Sequence, residues 1–139
     1  MTAFIDSNVI LYGLGRNDPV KGPISRRLLA ARPRAAISTQ VLNECSQVLR
    51  RKWGLQPSQV AATLEELIDL TDVRIVGVLD IRMAWVLAER YGYSHYDCVI
   101  LAAALSAECS VLYSEDMQHG QRIEGRLSIV NPFLTPTPP

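Results

Sequence analysis

The chain of 139 residues predicts one α/β domain with a central, mainly parallel sheet, and three observations carry that prediction. Short apolar runs of strand type, at 2–5, 35–37, 73–76, 111–113 and 127–130, alternate with longer segments of helical periodicity. A hydrophobic content of 48% with 20% charged residues is that of a globular chain, and the length suits a single core that folds without disulfides. Acidic residues, finally, sit where several of these apolar segments turn over.

Residues 2–5 read as a short buried strand that stops at Asp6, followed by a helix over Val9 to Leu14 that Gly13 and Gly15 weaken. After the loop Asn17-Asp18-Pro19, Ile24, Leu28, Leu29 and Ala31 recur at helical spacing until Pro33 ends the segment. Ala35-Ala36-Ile37 is the second strand. From Thr39 to Trp53, Val41, Leu42, Cys45, Val48 and Leu49 form one helix face, which Gly54 closes, with Glu44 at its edge. Pro57-Ser58 opens a helix that turns Val60, Ala61, Leu64, Leu67 and Ile68 inward, ahead of the strand Val73 to Val76. Asp80 reads as the N-cap of a helix containing Met83, Ala84, Leu87 and Ala88 that stops at Gly92. Ser94 caps the next helix, whose stretch Val99 to Leu105 is apolar all round and therefore belongs at the centre. Val111 to Tyr113 and Leu127 to Val130 complete the strands. The domain spans 1–133, and 134–139 form a Pro-rich tail.

Composition excludes several classes. No apolar run reaches the roughly 20 residues of a membrane span, and the first residues lack a basic-then-apolar signal, so the expected location is cytoplasmic, with no membrane partner. Net charge is zero, which leaves only local attraction for nucleic acid, and the cations cluster as Arg26-Arg27, Arg32/Arg34 and Arg50-Arg51-Lys52. Cys45, Cys98 and Cys109 lack metal-type spacing and read as small buried residues. His95 and His119 have no partners for a zinc site or a Ser/His/Asp arrangement.

The acids each have two readings. Asp6 ends a strand of a parallel sheet, where α/β folds bind ligands, with Ser7 and Asn8 adding oxygen-bearing side chains; it also suits an N-cap. Asp97 completes a Ser-x-x-acid capping box from Ser94, and a carboxylate in that first helical turn can still face the crevice. Glu44 alone would pass for an exposed helix residue, and Asp116 for turn chemistry after a strand, with Glu115 a competitor. Jointly they mean more. Two carboxylates about 4 Å apart repel by roughly 4 kcal/mol at an effective dielectric near 20, so four around one crevice require a cation. Oxygen ligands select Mg²⁺ or Mn²⁺, which suit hydrolysis of a phosphodiester, and cleavage of nucleic acid is the natural candidate.

In order and surroundings these acids resemble the PIN domain family, most closely its VapC-type toxin branch. The resemblance rests on Phe4-Ile5-Asp6-Ser7-Asn8, Ile37 to Glu44, Tyr96 to Ala104 and Leu112-Tyr113-Ser114-Glu115-Asp116, and runs from Phe4 to about Pro132. It implies a three-layer α/β/α fold and a Mg²⁺- or Mn²⁺-dependent endoribonuclease with Asp6, Glu44, Asp97 and Asp116 as the acidic quartet. Asp6, Asp97 and Asp116 would be the metal ligands, with Ser7, Asn8 and Ser114 as accessory polar residues. It further implies an RNA substrate, a homodimer and a silencing antitoxin protein. An acidic crevice needs cationic surroundings to accept RNA, which nominates Arg26, Arg27, Arg50 and Arg51. Two rivals are a phosphoacceptor domain, which would need a lysine after a late strand, and a PIN-like module that binds RNA or protein without cutting.

Overall fold

The computed structural model describes residues 2–134, in the order β1 (Ala3–Ile5), α1 (Ser7–Leu14), α2 (Lys21–Ala30), β2 (Ala36–Ser38), α3 (Thr39–Arg51), α4 (Pro57–Leu70), β3 (Asp72–Arg74), α5 (Val78–Tyr91), α6 (His95–Ser106), β4 (Val111–Tyr113), β5 (Arg122–Ile123) and β6 (Leu127–Val130). The strands form one sheet in the order β3-β2-β1-β4-β6-β5, parallel except for β5. Successive side chains of a strand point to opposite faces, yet Phe4 and Ile5 are both buried, so helices cover both faces and the layers are α/β/α. The helix predicted to be central is so: Cys98 through Leu105 of α6 are all buried.

From β1 the chain moves outward through β2 to β3, then returns to lay β4 on the other side of β1. The strand order therefore reverses between β1 and β4, and the carboxyl ends of those two strands flank the crevice where open parallel sheets take ligands. Ile5 lies opposite Tyr113, and the Asp6 N–H donates to the Tyr113 carbonyl at 2.9 Å, so Asp6 and Ser114 leave the sheet side by side.

Several element boundaries differ from expectation, each for a local reason. Helix α1 starts at Ser7 rather than Val9 because Asp6 is its N-cap, with Oδ1 accepting the Ser7 N–H at 2.7 Å. Helix α2 starts at Lys21 rather than Ile24 because the Asp18 carboxylate accepts the N–H groups of Val20 (3.0 Å) and Lys21 (2.8 Å). Asp80 is not an N-cap: Gly77 is, and Asp80 reaches back to accept the Gly77 N–H at 2.9 Å. Helix α4 buries only Val60, Leu64 and Leu67, while Ala61 and Ile68 face out, because it packs chiefly on α3 and needs no wider apolar stripe. Strand β5 was unforeseen; it pairs with β6 through a three-residue turn over 124–126, in which Glu124 (φ 52°) and Gly125 (φ 64°) have the positive φ that tight hairpins require. The Thr135–Pro139 part of the tail lies outside the described residues.

Candidate active site

Asp6 is the buried member of the acidic set, only 3% exposed. Its Oδ2 accepts from the Ser114 hydroxyl at 3.0 Å and from the Asn8 amide at 3.2 Å, while Oδ1 accepts the Ser7 N–H. Asn8 ties the site together: Nδ2 also donates to Asp116 Oδ2 at 3.1 Å, and Oδ1 accepts the Glu115 N–H at 3.1 Å. From α3, Glu44 reaches the same place, its Oε1 accepting from the Ser7 hydroxyl at 3.1 Å. Asp97 stands half-buried in the first turn of α6, where the Ser94 hydroxyl accepts its N–H at 3.3 Å.

The four carboxylates behave as one electrostatic group. Burial pushes the Asp6 carboxyl up to about 7, opposed by the Ser114 hydrogen bond and reinforced by the charges of Glu44 and Asp97. Burial also raises Glu44, against hydrogen bonds from Ser7 and Gln40 and with help from Asp97. Asp97 is raised by burial and by Asp116, against the Ser94 hydroxyl. Every donor on this group is neutral. Among the described residues the ion pairs are Lys21–Glu115, Arg74–Asp72 and Arg90–Glu124, and none involves the quartet.

Glu115, the competitor of Asp116, is turned away. Its carboxylate pairs with Lys21 and accepts from the Tyr12 hydroxyl at 2.7 Å, and the Lys21 ammonium lies 4.9 Å from the Tyr12 ring centroid and 5.3 Å from that of Phe133. Lys21, Tyr12 and Gln40 are contributors that sequence reasoning did not name, since nothing local to them points at acids so distant in the chain.

The donor set fits a hard divalent cation. It offers carboxylate and hydroxyl oxygens, the ligand type that such a cation takes, and the neighbouring Cys45 thiol is pushed up to about 12 by burial and by Glu44 and Asp6. Among the described residues no three His, Cys, Asp or Glu side chains are gathered closely enough to hold an ion as they stand.

A family model described as the PIN domain matches residues 3–122. The chain belongs to the PIN domain family. Solved structures share the fold. The PIN domain here is 22% identical to VapC20 of Mycobacterium tuberculosis, a sarcin–ricin-loop-cleaving toxin, over 82% of this chain and 89% of that one, with a TM-score of 0.68. It is 24% identical to a chain of a toxin–antitoxin complex from Klebsiella pneumoniae (94% and 97% covered, TM-score 0.68). To a chain of DNA-bound VapBC from Salmonella typhimurium it is 20% identical (93% and 98% covered, TM-score 0.69). Among curated proteins no sequence matches significantly.

Within this PIN domain the four arginines have separate settings. Arg26 donates to the carbonyls of Gly13 and Gly15, both at 3.3 Å, and so closes the end of α1. Arg27 is exposed on α2. Arg50 donates to the Leu55 carbonyl at 2.9 Å, whereas Arg51 is exposed and lies two helical turns from Glu44 on the same side of α3. Tyr91 and Tyr93 are spent on packing, bonding the Glu124 N–H (2.9 Å) and the Gln118 N–H (3.0 Å), and the His119 ring accepts the Asn131 N–H at 3.0 Å. Among the described residues no helix is long and apolar enough to cross a membrane.

Proposed function

We propose that this PIN domain is a metal-dependent endoribonuclease that hydrolyses RNA phosphodiester bonds as the toxin of a toxin–antitoxin pair. The observation that carries the reading is four carboxylates sharing the switch-point crevice with no cationic partner among the described residues, the buried Asp6 being driven up to about 7. A scaffold that only bound protein or RNA would gain nothing from that repulsion. Asp6, Asp97 and Asp116 would hold Mg²⁺ or Mn²⁺, which when bound acidifies a coordinated water and stabilises charge on a phosphoryl oxygen.

The chain's own residues do the rest. Asn8 and Ser114 fix Asp6 Oδ2, and Asn8 aligns Asp116 with it. Ser7 holds Glu44 by Oε1, and the raised basicity of Glu44 suits it to take a proton from attacking water better than an ordinary carboxylate would. Arg27 and Arg51, both exposed, supply cations for the RNA backbone, with Arg26 and Arg50 partly committed to carbonyls. The test is incubation of inhibitor-free protein with an RNA pool in Mg²⁺, Mn²⁺ or EDTA; cleavage in either metal and none in EDTA is expected, and folded protein inert in all three would favour the binding module. Asn8→Ala is expected to lower metal affinity or turnover by about 10- to 100-fold, as loss of a group orienting metal ligands does, measured by metal titration of initial rates.

Two partners follow from this reading. Structurally similar chains occur in toxin–antitoxin complexes, and an antitoxin protein that covers the crevice is the natural silencer. A second copy fits α5, whose outer side exposes Val78 (63%), Leu79 (77%), Trp85 (61%) and Val86 (42%) while Ala84 and Leu87 pack inward. Antiparallel pairing of two α5 helices centred between Trp85 and Val86 sets Arg82 of each copy opposite Glu89 of the other, the self-complementarity that a two-fold interface needs. Light scattering is expected to give a dimer mass, and Trp85→Glu a monomer with unchanged circular dichroism; a monomeric wild type at tens of micromolar would remove this interface.

A further inference from the structure

Beyond the acids the crevice continues as a groove of about 350 Å³. Its lining joins Asn8 and Asp116 of the site to Leu11, Val48, Lys52 and Trp53, with Tyr12 and Glu115 also on its wall. A second hollow of about 300 Å³ shares Leu11, Tyr12 and Trp53 with it and adds Gly15, Asn17 and Asp18. Apolar Leu11 and Val48 share the groove's lining with the Trp53 ring and the cationic Lys52, and of its two acids Glu115 is already paired with Lys21. That combination is a poor seat for a phosphate but a good one for a nucleobase, with the cation beside it for the next phosphate.

Trp53 is built to stay in place. The Trp53 N–H donates to the Val48 carbonyl at 3.1 Å and the Leu55 N–H to the Leu49 carbonyl at 3.0 Å, with Gly54 at φ 65° making the turn between them. The indole lies over Gly15, where an added Cβ would come within 3.1 Å of Trp53 Cη2, so a glycine there leaves room for the ring. The residue nevertheless remains 36% exposed, on the side of the groove. A rigid, half-exposed indole beside a candidate active site loses little freedom when a planar ligand stacks on it.

We propose that Trp53 and Lys52 form the substrate-positioning platform of the site, with the indole stacking on an unpaired base of the RNA and the ammonium contacting the adjoining phosphate. The platform rests on the nuclease reading for its ligand but adds a residue outside the acidic set. It reaches only bases that are not already stacked in a helix, so it favours loops and single strands over duplex.

Binding can be read apart from cleavage. The protein has two tryptophans, so Trp85→Phe leaves Trp53 as the sole indole reporter. With Asp97→Asn added to stop turnover, titration with a single-stranded oligoribonucleotide in Mg²⁺ at fixed salt is expected to quench Trp53 emission, and a duplex of the same sequence to do so far less. In otherwise wild-type protein, Trp53→Ala is expected to weaken RNA binding and raise KM about tenfold with kcat little changed, with Trp53→Phe retaining most of the affinity. Trp53→Leu keeps bulk over Gly15 and separates packing from stacking: it should fold as stably as Trp53→Phe yet bind like Trp53→Ala. Lys52→Met should reduce the salt dependence of binding by about one ion. Quenching without cleavage by any active form would sink the nuclease reading and keep the platform. Cleavage with unmoved emission and an unchanged KM in Trp53→Ala would overturn the platform alone, and quenching by an apolar peptide but not by RNA would assign the groove to a protein and overturn it too.

Discussion

Asp6→Asn and Asp97→Asn are each expected to lower metal-dependent RNA cleavage about a thousandfold, with the domain still folded. Asparagine matches aspartate in size but lacks the charge that would hold a divalent ion. At Asp6 the effect is compounded by hydrogen bonding. Both carboxylate oxygens are acceptors, Oδ1 from the Ser7 N–H and Oδ2 from Ser114 and Asn8, so an amide must turn its NH₂ toward one of these donors. The Asp97 carboxylate has one hydrogen-bond partner among the described residues, the Ser94 hydroxyl, and otherwise interacts with Asp116, Glu44 and Asp6 through charge, so its loss should act mainly through charge. Initial rates on a labelled RNA at saturating Mg²⁺, beside circular dichroism of each variant, decide the matter. Activity within about tenfold of wild type in Asp6→Asn would remove Asp6 from the metal set.

The second large effect is on stability, and it runs opposite to ordinary acid denaturation. Asp6 goes from 3.8 when unfolded to about 7 in the fold, so between those values the folded chain binds more protons than the unfolded one. Stability of chelated protein is therefore expected to fall as pH rises from about 4 to about 7, by at most about 4 kcal/mol, and to level off above. The upward shifts of Glu44 and Asp97 act in the same direction. Asp18, held down by the N–H groups of Lys21 and Val20, acts the other way, but only as pH falls below its ordinary 3.8. Urea denaturation in EDTA across this range should show the decline in wild type and a much flatter profile in Asp6→Asn. Adding Mg²⁺ at pH 7.5 should restore stability to the wild type and not to the variant. A wild-type profile flat from pH 4 to 7 would mean that Asp6 stays ionised without difficulty, and would remove the main physical reason for a metal.

The two experiments are linked through one side chain. If the crevice is strained by its own charge, the substitution that abolishes activity should stabilise the metal-free protein. Loss of both activity and stability in Asp6→Asn would instead mean that mis-set hydrogen bonds at Ser7, Ser114 and Asn8 outweigh the relief of charge repulsion.

Features set within a few residues of one another were legible from the letters. The strand and helix alternation, Ser94 as a cap and the all-apolar stretch of α6 are of this kind, and each agrees with the fold. Local chemistry also explains the boundaries that shifted. Asp18 and Asp6 accept N–H groups at the starts of α2 and α1, a use of short acidic side chains that periodicity alone does not reveal. The Glu124-Gly125 turn was similarly available as a hairpin signal, but its strand partner β5 is only two residues long and carries no pattern.

Which distant residues meet was decided by packing. Asn8 bonds Asp116 across 108 positions, and Lys21 removes Glu115 from the site across 94, so the choice between two adjacent acids depends on a lysine far from both in the chain. Sliding β4 by one residue along β1 would turn Ser114 away from Asp6 and undo the site without changing any local preference. The groove lined by Trp53 likewise exists only because the end of α3 comes to rest beside α1. The amino-acid order dictated the elements and supplied the acids, because propensity, caps and turns act over a few residues. Their convergence into one charged crevice came from strand order and register, which are settled by the burial of both sheet faces together.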